Sequence, residues 1–327
     1  MAEKTRWGII GTGNIASQFA RGLASLPDAQ LVAVGSRSQE SANAFGALFD
    51  VPRRYPTYGE LAHDPDVDAV YVATPHSLHM ENTLTCLEAG KAVLCEKPFA
   101  INAEQAAAMV RAARERGIFL MEAMWTRCLP LMVRVRELLA AGVIGEVRMV
   151  MADLGFRTQY RPTGRLFDPH LGGGGLLDVG VYPVSLASMV FGAPTRVAGL
   201  AHLGETGVDE QSAVVLGYDG GRLAVVASAV RTNTPQEAHL LGTEGRIHIH
   251  YPWWMPKALT LYRSGRAEEV LTLPFEGNGY NYEAAEVARC LRAGLRESEL
   301  MPLDESLSIM RTLDQIRAQW GLKYPME

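Results

Sequence analysis

The stretch Trp7-Gly8-Ile9-Ile10-Gly11-Thr12-Gly13-Asn14-Ile15-Ala16 decides the architecture. An apolar run breaks at two glycines one residue apart, and helix-compatible residues then continue to about Leu26, ahead of Pro27. This is a strand, a G-x-G-x-x-A turn and a helix. Gly11 permits the tight turn, Gly13 lets a pyrophosphate approach the backbone, and the small Ala16 lets the helix pack closely on the sheet. The amides of Thr12, Gly13, Asn14 and Ile15 then face the phosphates, helped by the positive end of the helix dipole.

The next strand, Leu31 to Val34, ends in Gly35-Ser36-Arg37-Ser38, where a carboxylate would mark the ribose hydroxyls of NAD. None is present. Ser36 and Ser38 offer hydroxyls and Arg37 a planar fork for a 2'-phosphate, so NADP is favoured over NAD; an Arg37 that only stacked on adenine would tolerate either. Helix and strand go on alternating: a helix from Gln39 to Phe49, a strand from Val67 to Ala73, a helix from His79 to Ala89 and a strand from Ala92 to Cys95. A helix from Ala103 to Arg116 and a strand from Phe119 to Glu122 complete the series. That rhythm predicts an α/β, doubly wound parallel sheet of the Rossmann kind, with ligands beyond the carboxyl ends of its strands.

Lys97, in Glu96-Lys97-Pro98, lies at such an end, and Pro98 limits its backbone freedom, through a cis or a trans bond. By position alone it is equally well a surface lysine in a turn. Thr74, Pro75, His76 and His79 follow the preceding strand and are read as a loop facing cofactor or substrate. The His76/His79 spacing suits a metal, but no third ligand stands beside it, and no metal site is expected.

The bulk composition bounds the partners. A chain of 327 residues has room for about two domains. Its net charge of -5 argues against a nucleic acid or an anionic membrane, leaving a small molecule as the expected partner. Cys86, Cys95, Cys128 and Cys290 form no C-x-x-C pair, which suits a reducing compartment; with no signal peptide ahead of the first strand and no apolar run read as long enough to span a bilayer, a cytoplasmic location is expected.

After a helix from Pro130 to Gly142, strand-like runs dominate: Glu146 to Leu154, Arg196 to His202, Gln211 to Tyr218, Arg222 to Val230, Ala238 to Leu241, Arg246 to Tyr251 and Leu259 to Arg263. Short turns such as Asp219-Gly220-Gly221 predict antiparallel neighbours, hence an α+β second domain on an open, mostly antiparallel sheet. Gly172 to Gly175 precede an apolar helix from Leu176 to Phe191 and are expected to let backbone pass close to cofactor or substrate. Asp178 and Tyr182 share one face of that helix. Periodicity alone favours a structural pair there. The aromatic run Tyr251 to Pro256 reads as core or subunit interface rather than pocket, and His248 and His250, alone on one strand face, do not make a metal site.

Gly11-x-Gly13-x-x-Ala16, Thr74-Pro75-x-x-x-His79 and Glu96-Lys97-Pro98 together resemble the Gfo/Idh/MocA oxidoreductases. The runs Glu122 to Arg127 and Gly174 to Tyr182 are similar to the branch containing dimeric dihydrodiol dehydrogenase, glucose-fructose oxidoreductase and NADP-xylose dehydrogenase. The inositol dehydrogenase branch has histidine where this chain has Tyr182. This resemblance implies a Rossmann domain over residues 1–124 and a substrate-binding and oligomerisation domain over 125–327, its last helix returning to the first domain. It implies hydride exchange between NAD(P) and a sugar, polyol or dihydrodiol, with Glu96, Trp125 and Arg127 added to the cofactor-binding set, although Arg127 also suits a buried ion pair.

It also reverses the structural reading of Asp178 and Tyr182. Tyr182 becomes the acid/base, Lys97 the cation that binds substrate and tunes the phenol, and Asp178 the group that orients substrate or balances Lys97. A homodimer or higher homo-oligomer through the second sheet is the matching assembly. Two rivals are an NAD-dependent redox-mechanism glycosidase and a non-catalytic NADP-sensing regulator.

Overall fold

The computed structural model describes residues 4–327. Six strands, β1 (Thr5–Ile10), β2 (Ala29–Gly35), β3 (Arg53–Tyr55), β4 (Ala69–Val72), β5 (Ala92–Glu96) and β6 (Leu120–Ala123), form a parallel sheet in the order β3-β2-β1-β4-β5-β6. Between them run α1 (Asn14–Leu23), α2 (Gln39–Leu48), α3 (Tyr58–Ala62), α4 (His79–Glu88) and α5 (Ala103–Arg116). The doubly wound sheet expected from the sequence is present.

Local chemistry sets these elements. Helix α1 buries Ala16, Phe19, Ala20 and Leu23, spaced three and four apart, on one stripe. Phe19 stacks on Tyr71 of β4 with centroids 3.7 Å apart and meets Trp7 of β1 edge-on. Each such fully buried side chain contributes on the order of 1.5–3 kcal/mol. Asn102 Oδ1 accepts the Gln105 amide at 2.8 Å to start α5, and Gly117, at φ 63°, ends it in the left-handed region. Strand β3 escaped the sequence reading. It is three polar residues at the sheet edge, too short to show a period.

A second sheet comprises β7 (Val147–Gly155), β8 (Arg196–Leu203), β9 (Asp209–Gly217), β10 (Leu223–Ala229), β11 (Ala238–Gly242), β12 (Gly245–Ile249), β13 (Ala258–Arg263) and β14 (Glu269–Thr272). Its order is β14-β13-β12-β11-β7-β10-β9-β8, and every pair is antiparallel except β7 with β10. Helix α6 (Pro130–Ala140) precedes it, and α7 (Val181–Phe191) lies against β7 and β10. The covered face carries Val150, Ala152, Leu154, Val214, Val226 and Leu240, all buried. Alternate positions face outward, as a half-covered sheet requires.

Two compact units result: the chain through Cys128 with Glu276–Ser306, and Leu129–Phe275 with Leu307–Glu327. The first therefore includes α8 (Tyr280–Arg292); α9 (Leu303–Ala318) runs across the division. One expectation needs correcting. The segment Pro169–Phe191, 23 residues, is long and apolar enough to cross a membrane by length and composition. Most of it is buried inside the protein, which explains the apolar composition as that of a core helix.

Candidate active site

In the first unit the predicted cofactor residues line the carboxyl edge of the parallel sheet. Register places Ile10, Gly35, Val72 and Cys95 in one row, so the segments following β1, β2, β4 and β5 emerge side by side. The strand order turns back between β1 and β4, the place where such sheets bind their ligands. Gly11 sits at φ +101°, and a Cβ there would lie 2.6 Å from the Ala73 carbonyl oxygen, so the neighbouring strand demands glycine. Gly13 is different. A Cβ on it meets nothing within 4 Å, and as N-cap of α1 it makes no side-chain cap to the first amides of the helix. That open cradle at a helix N-terminus fits a dinucleotide pyrophosphate.

Thr12 and Ser36 converge there, with their hydroxyl oxygens 3.3 Å apart. Arg37 is exposed just beyond β2, within electrostatic reach of Tyr58. Ser38 is occupied differently: its hydroxyl caps α2 by accepting the Ser41 amide at 3.2 Å.

Three members of the predicted set are held by the protein itself. His79 is fully buried, its ring nitrogens 2.8 Å from the Pro98 carbonyl and 3.0 Å from the Thr74 carbonyl. Burial lowers its pKa to about 4, so the ring is neutral and donates to only one of the two. It is wedged between the loop after β4 and the turn after β5, both ring nitrogens facing protein carbonyls rather than a cofactor. Arg127 is 3% exposed and pairs with Glu305 at 2.6 Å, the buried ion-pair alternative. Glu96 points inward, accepting from the Tyr71 hydroxyl and from the Lys97 amide at 3.1 Å. Glu283, within electrostatic reach of it, is fully buried; burial and the Glu96 charge raise its pKa well above the usual carboxylate range.

The turn itself is accessible. Lys97 is half-buried and precedes a cis peptide to Pro98. Pro75 and His76 are likewise half-buried on the loop after β4, where Thr74 Oγ1 accepts from Asn82 at 3.0 Å. Trp125, just after β6, stacks on Tyr280 at 4.5 Å and leaves only 3% of its surface exposed.

In the second unit, Tyr182 and Asp178 lie one turn apart where a π-helical turn, Leu176–Gly180, runs into α7. A wide turn of this kind inside a helix is frequent at functional sites. Asp178 is 4% exposed and held by Arg165 through two contacts of 2.8 and 3.3 Å, a bidentate partner the sequence reading did not find. Tyr182 is 7% exposed, with Trp254 inclined to it at 6.3 Å. Its neighbour Trp253 is core, donating to the Asp153 carbonyl at 2.7 Å. One aromatic run thus supplies both a core residue and a neighbour for the tyrosine.

The glycine run has a closer client than a ligand. A Cβ on Gly174, at φ +112°, would fall 2.4 Å from Asp209 Oδ1, while Asp209 Oδ2 accepts the Leu176 amide at 2.6 Å. The backbone thus closes onto a buried carboxyl that starts the π-helical turn leading into α7. Burial raises the Asp209 pKa from 3.8 to about 7. Between about pH 4 and pH 7 the folded chain keeps a proton that the unfolded chain has lost, so this contribution is complete below that window and disappears as pH rises through it. Asp209→Asn is expected to flatten the fall in urea midpoint between about pH 5 and about pH 7.5. Some slope remains, because burial raises Glu122 to about 7 as well. An unchanged slope in the variant rules Asp209 out as its source.

Known proteins agree with this layout. Residues 5–124 match the family described as "Oxidoreductase family, NAD-binding Rossmann fold", and 132–248 the GFO/IDH/MocA C-terminal domain. The chain is 41% identical over 334 residues to mouse trans-1,2-dihydrobenzene-1,2-diol dehydrogenase, covering 98% of each. A 3-ketoreductase from Actinomadura kijaniata, solved with NADP and TDP-benzene, is 27% identical with a TM-score of 0.86 over 97% of this chain and 98% of that one. It has also been solved as a lysine-to-alanine and as a tyrosine-to-phenylalanine variant. An aldose-aldose oxidoreductase from Caulobacter crescentus, complexed with glycerol, is 27% identical with a TM-score of 0.87 over 98% and 99% of the two chains. With matches to both domains and a relative alike from end to end, this chain belongs to the Gfo/Idh/MocA family and is an NADP-dependent oxidoreductase.

Proposed function

We propose that the chain oxidises one carbinol of a small cyclic vicinal diol with NADP+, the trans-dihydrodiol of a benzene ring being the leading substrate and cyclic aldoses the next. The observation that carries the choice is Trp254 beside the Tyr182 ring, an aromatic wall suited to a flat unsaturated carbocycle. Full-length similarity to mouse dihydrodiol dehydrogenase supports it. The nicotinamide, when bound, accepts the carbinol hydride or returns it in the reverse direction. Tyr182 takes the hydroxyl proton through its phenol oxygen, and Asp178, fixed by Arg165, orients the substrate hydroxyls. Lys97 supplies a cation for the substrate oxygen at the end of β5. Initial rates at 340 nm with trans-dihydrodiols, aldoses and inositols, each with NADP+ and NAD+, test the reading. The highest kcat/KM is expected for the dihydrodiol with NADP+. No turnover anywhere with NADPH binding intact gives the function to cofactor sensing instead.

Cofactor choice rests on Arg37. Replacing it with alanine is expected to raise the KM for NADP+ roughly 10- to 150-fold, the loss of about 1.5–3 kcal/mol of charge-assisted hydrogen bonding, and to leave the KM for NAD+ nearly unchanged. Equal losses with both cofactors would mean that Arg37 stacks on the adenine.

The uncovered face of the second sheet bears Leu200 at 83% exposure and Val270 at 61%, with Met151, Val215 and Leu223 also exposed. Strand register puts all five on one side, which supports a homodimer through this face. Four free, buried cysteines support a reducing, cytoplasmic setting.

A further inference from the structure

The same uncovered face carries a cluster that takes no part in the reaction. Antiparallel pairing of β11 with β12 sets His239 opposite His248, and their rings stack with centroids 4.3 Å apart and planes 15° from parallel. Their strand neighbours Ala238, Leu240, Ile247 and Ile249 are core residues, so both histidines project on the side away from α7. Glu237, immediately before β11, reaches the same point. Its Oε2 lies 3.2 Å from His248 Nε2 and 3.9 Å from His239 Nε2.

These three donor atoms all lie within 4.8 Å of one another. Small side-chain rotations bring such a group onto metal bonds of about 2.0–2.2 Å. A second observation points the same way: His248 Nε2 is shielded from solvent and has no hydrogen-bond partner among the described residues, although Glu237 Oε2 lies 3.2 Å away. The surrounding polar groups have other engagements. His250 Nε2 lies 2.8 Å from Thr260 Oγ1, the Arg246 guanidinium lies over the Tyr262 ring at 4.1 Å, and Asp153 accepts the Gln236 amide at 2.8 Å.

We propose that Glu237, His239 and His248 hold one divalent late-transition ion, with Zn2+ as its type and water in the remaining positions. Two imidazoles and one carboxylate select zinc, copper or nickel over magnesium and calcium, which prefer oxygen alone. The ligand set is complete within one chain, and the ion clamps β11 to β12. Its expected effect is on stability rather than on turnover, because Tyr182 belongs to α7 on the opposite side of the sheet.

Calorimetric titration of the tag-free chain with Zn2+ tests this. One ion per chain is expected, with a Kd raised roughly 100-fold or more in His239→Ala and in His248→Ala, and no binding of Mg2+. Zn2+ raises the melting temperature of the parent chain but not of either variant, and both variants keep parental dehydrogenase rates. The proposal is overturned if the parent binds no Zn2+ stoichiometrically. It is equally overturned if both variants bind as the parent does, since the ion is then held elsewhere.

Discussion

Replacing Tyr182 with phenylalanine is expected to lower kcat by about 10²–10⁴-fold, the usual worth of a positioned acid/base, with NADPH affinity unchanged. The substitution removes one oxygen from a side chain only 7% exposed and keeps the ring that lies near Trp254. Equal melting temperatures for variant and parent, measured with the steady-state rates, isolate the chemical role. Lys97→Met is expected to cost a similar factor. The double variant should be scarcely slower than the worse single one, because groups that serve one transition state are not additive. Near-normal turnover in Tyr182→Phe removes the tyrosine from the mechanism. Fully multiplicative losses mean that lysine and tyrosine act in separate steps.

Gly13→Val is expected to weaken NADP binding roughly 100-fold, about 3 kcal/mol, with no loss of stability. Gly13 has an ordinary backbone conformation, φ -78°, and open space where a Cβ would go, so nothing in the protein excludes a side chain. A pyrophosphate bound at this loop would. Gly11→Ala makes the opposite case: its Cβ would strike the Ala73 carbonyl at 2.6 Å from a backbone at φ +101°, so it should lower the melting temperature whether or not cofactor is added. Fluorescence titration with NADPH and thermal melts of both variants separate the two. Tight binding by Gly13→Val moves the pyrophosphate away from this loop.

Much of this protein is written locally. The Rossmann order follows from short apolar strands, a glycine turn and helices of period 3.6, each legible within about 15 residues. Lys97, Asp178 and Tyr182 could be named as candidates because they lie in short motifs of neighbouring residues. The pieces that the sequence hid are contacts between distant segments. Arg165 was not found as the partner of Asp178, because pairing across 13 residues of loop has no period. Asp209 starts the π turn from another strand, 33 residues away. His79 and Arg127 carried the right residue types for a ligand, yet burial against the Pro98 and Thr74 carbonyls and against Glu305 gave them structural work.

By itself the chain determined its fold class through spacing along the backbone, and its nicotinamide chemistry through motifs that resemble a known family. Only the tertiary structure decided which polar side chains are consumed by their own neighbours and which meet across strands. The His239 and His248 pair shows why: along the chain they are separate histidines on two strands, and hydrogen-bond register alone brings their rings to 4.3 Å. Burial and register are properties of the folded sheet, and no window of sequence contains them.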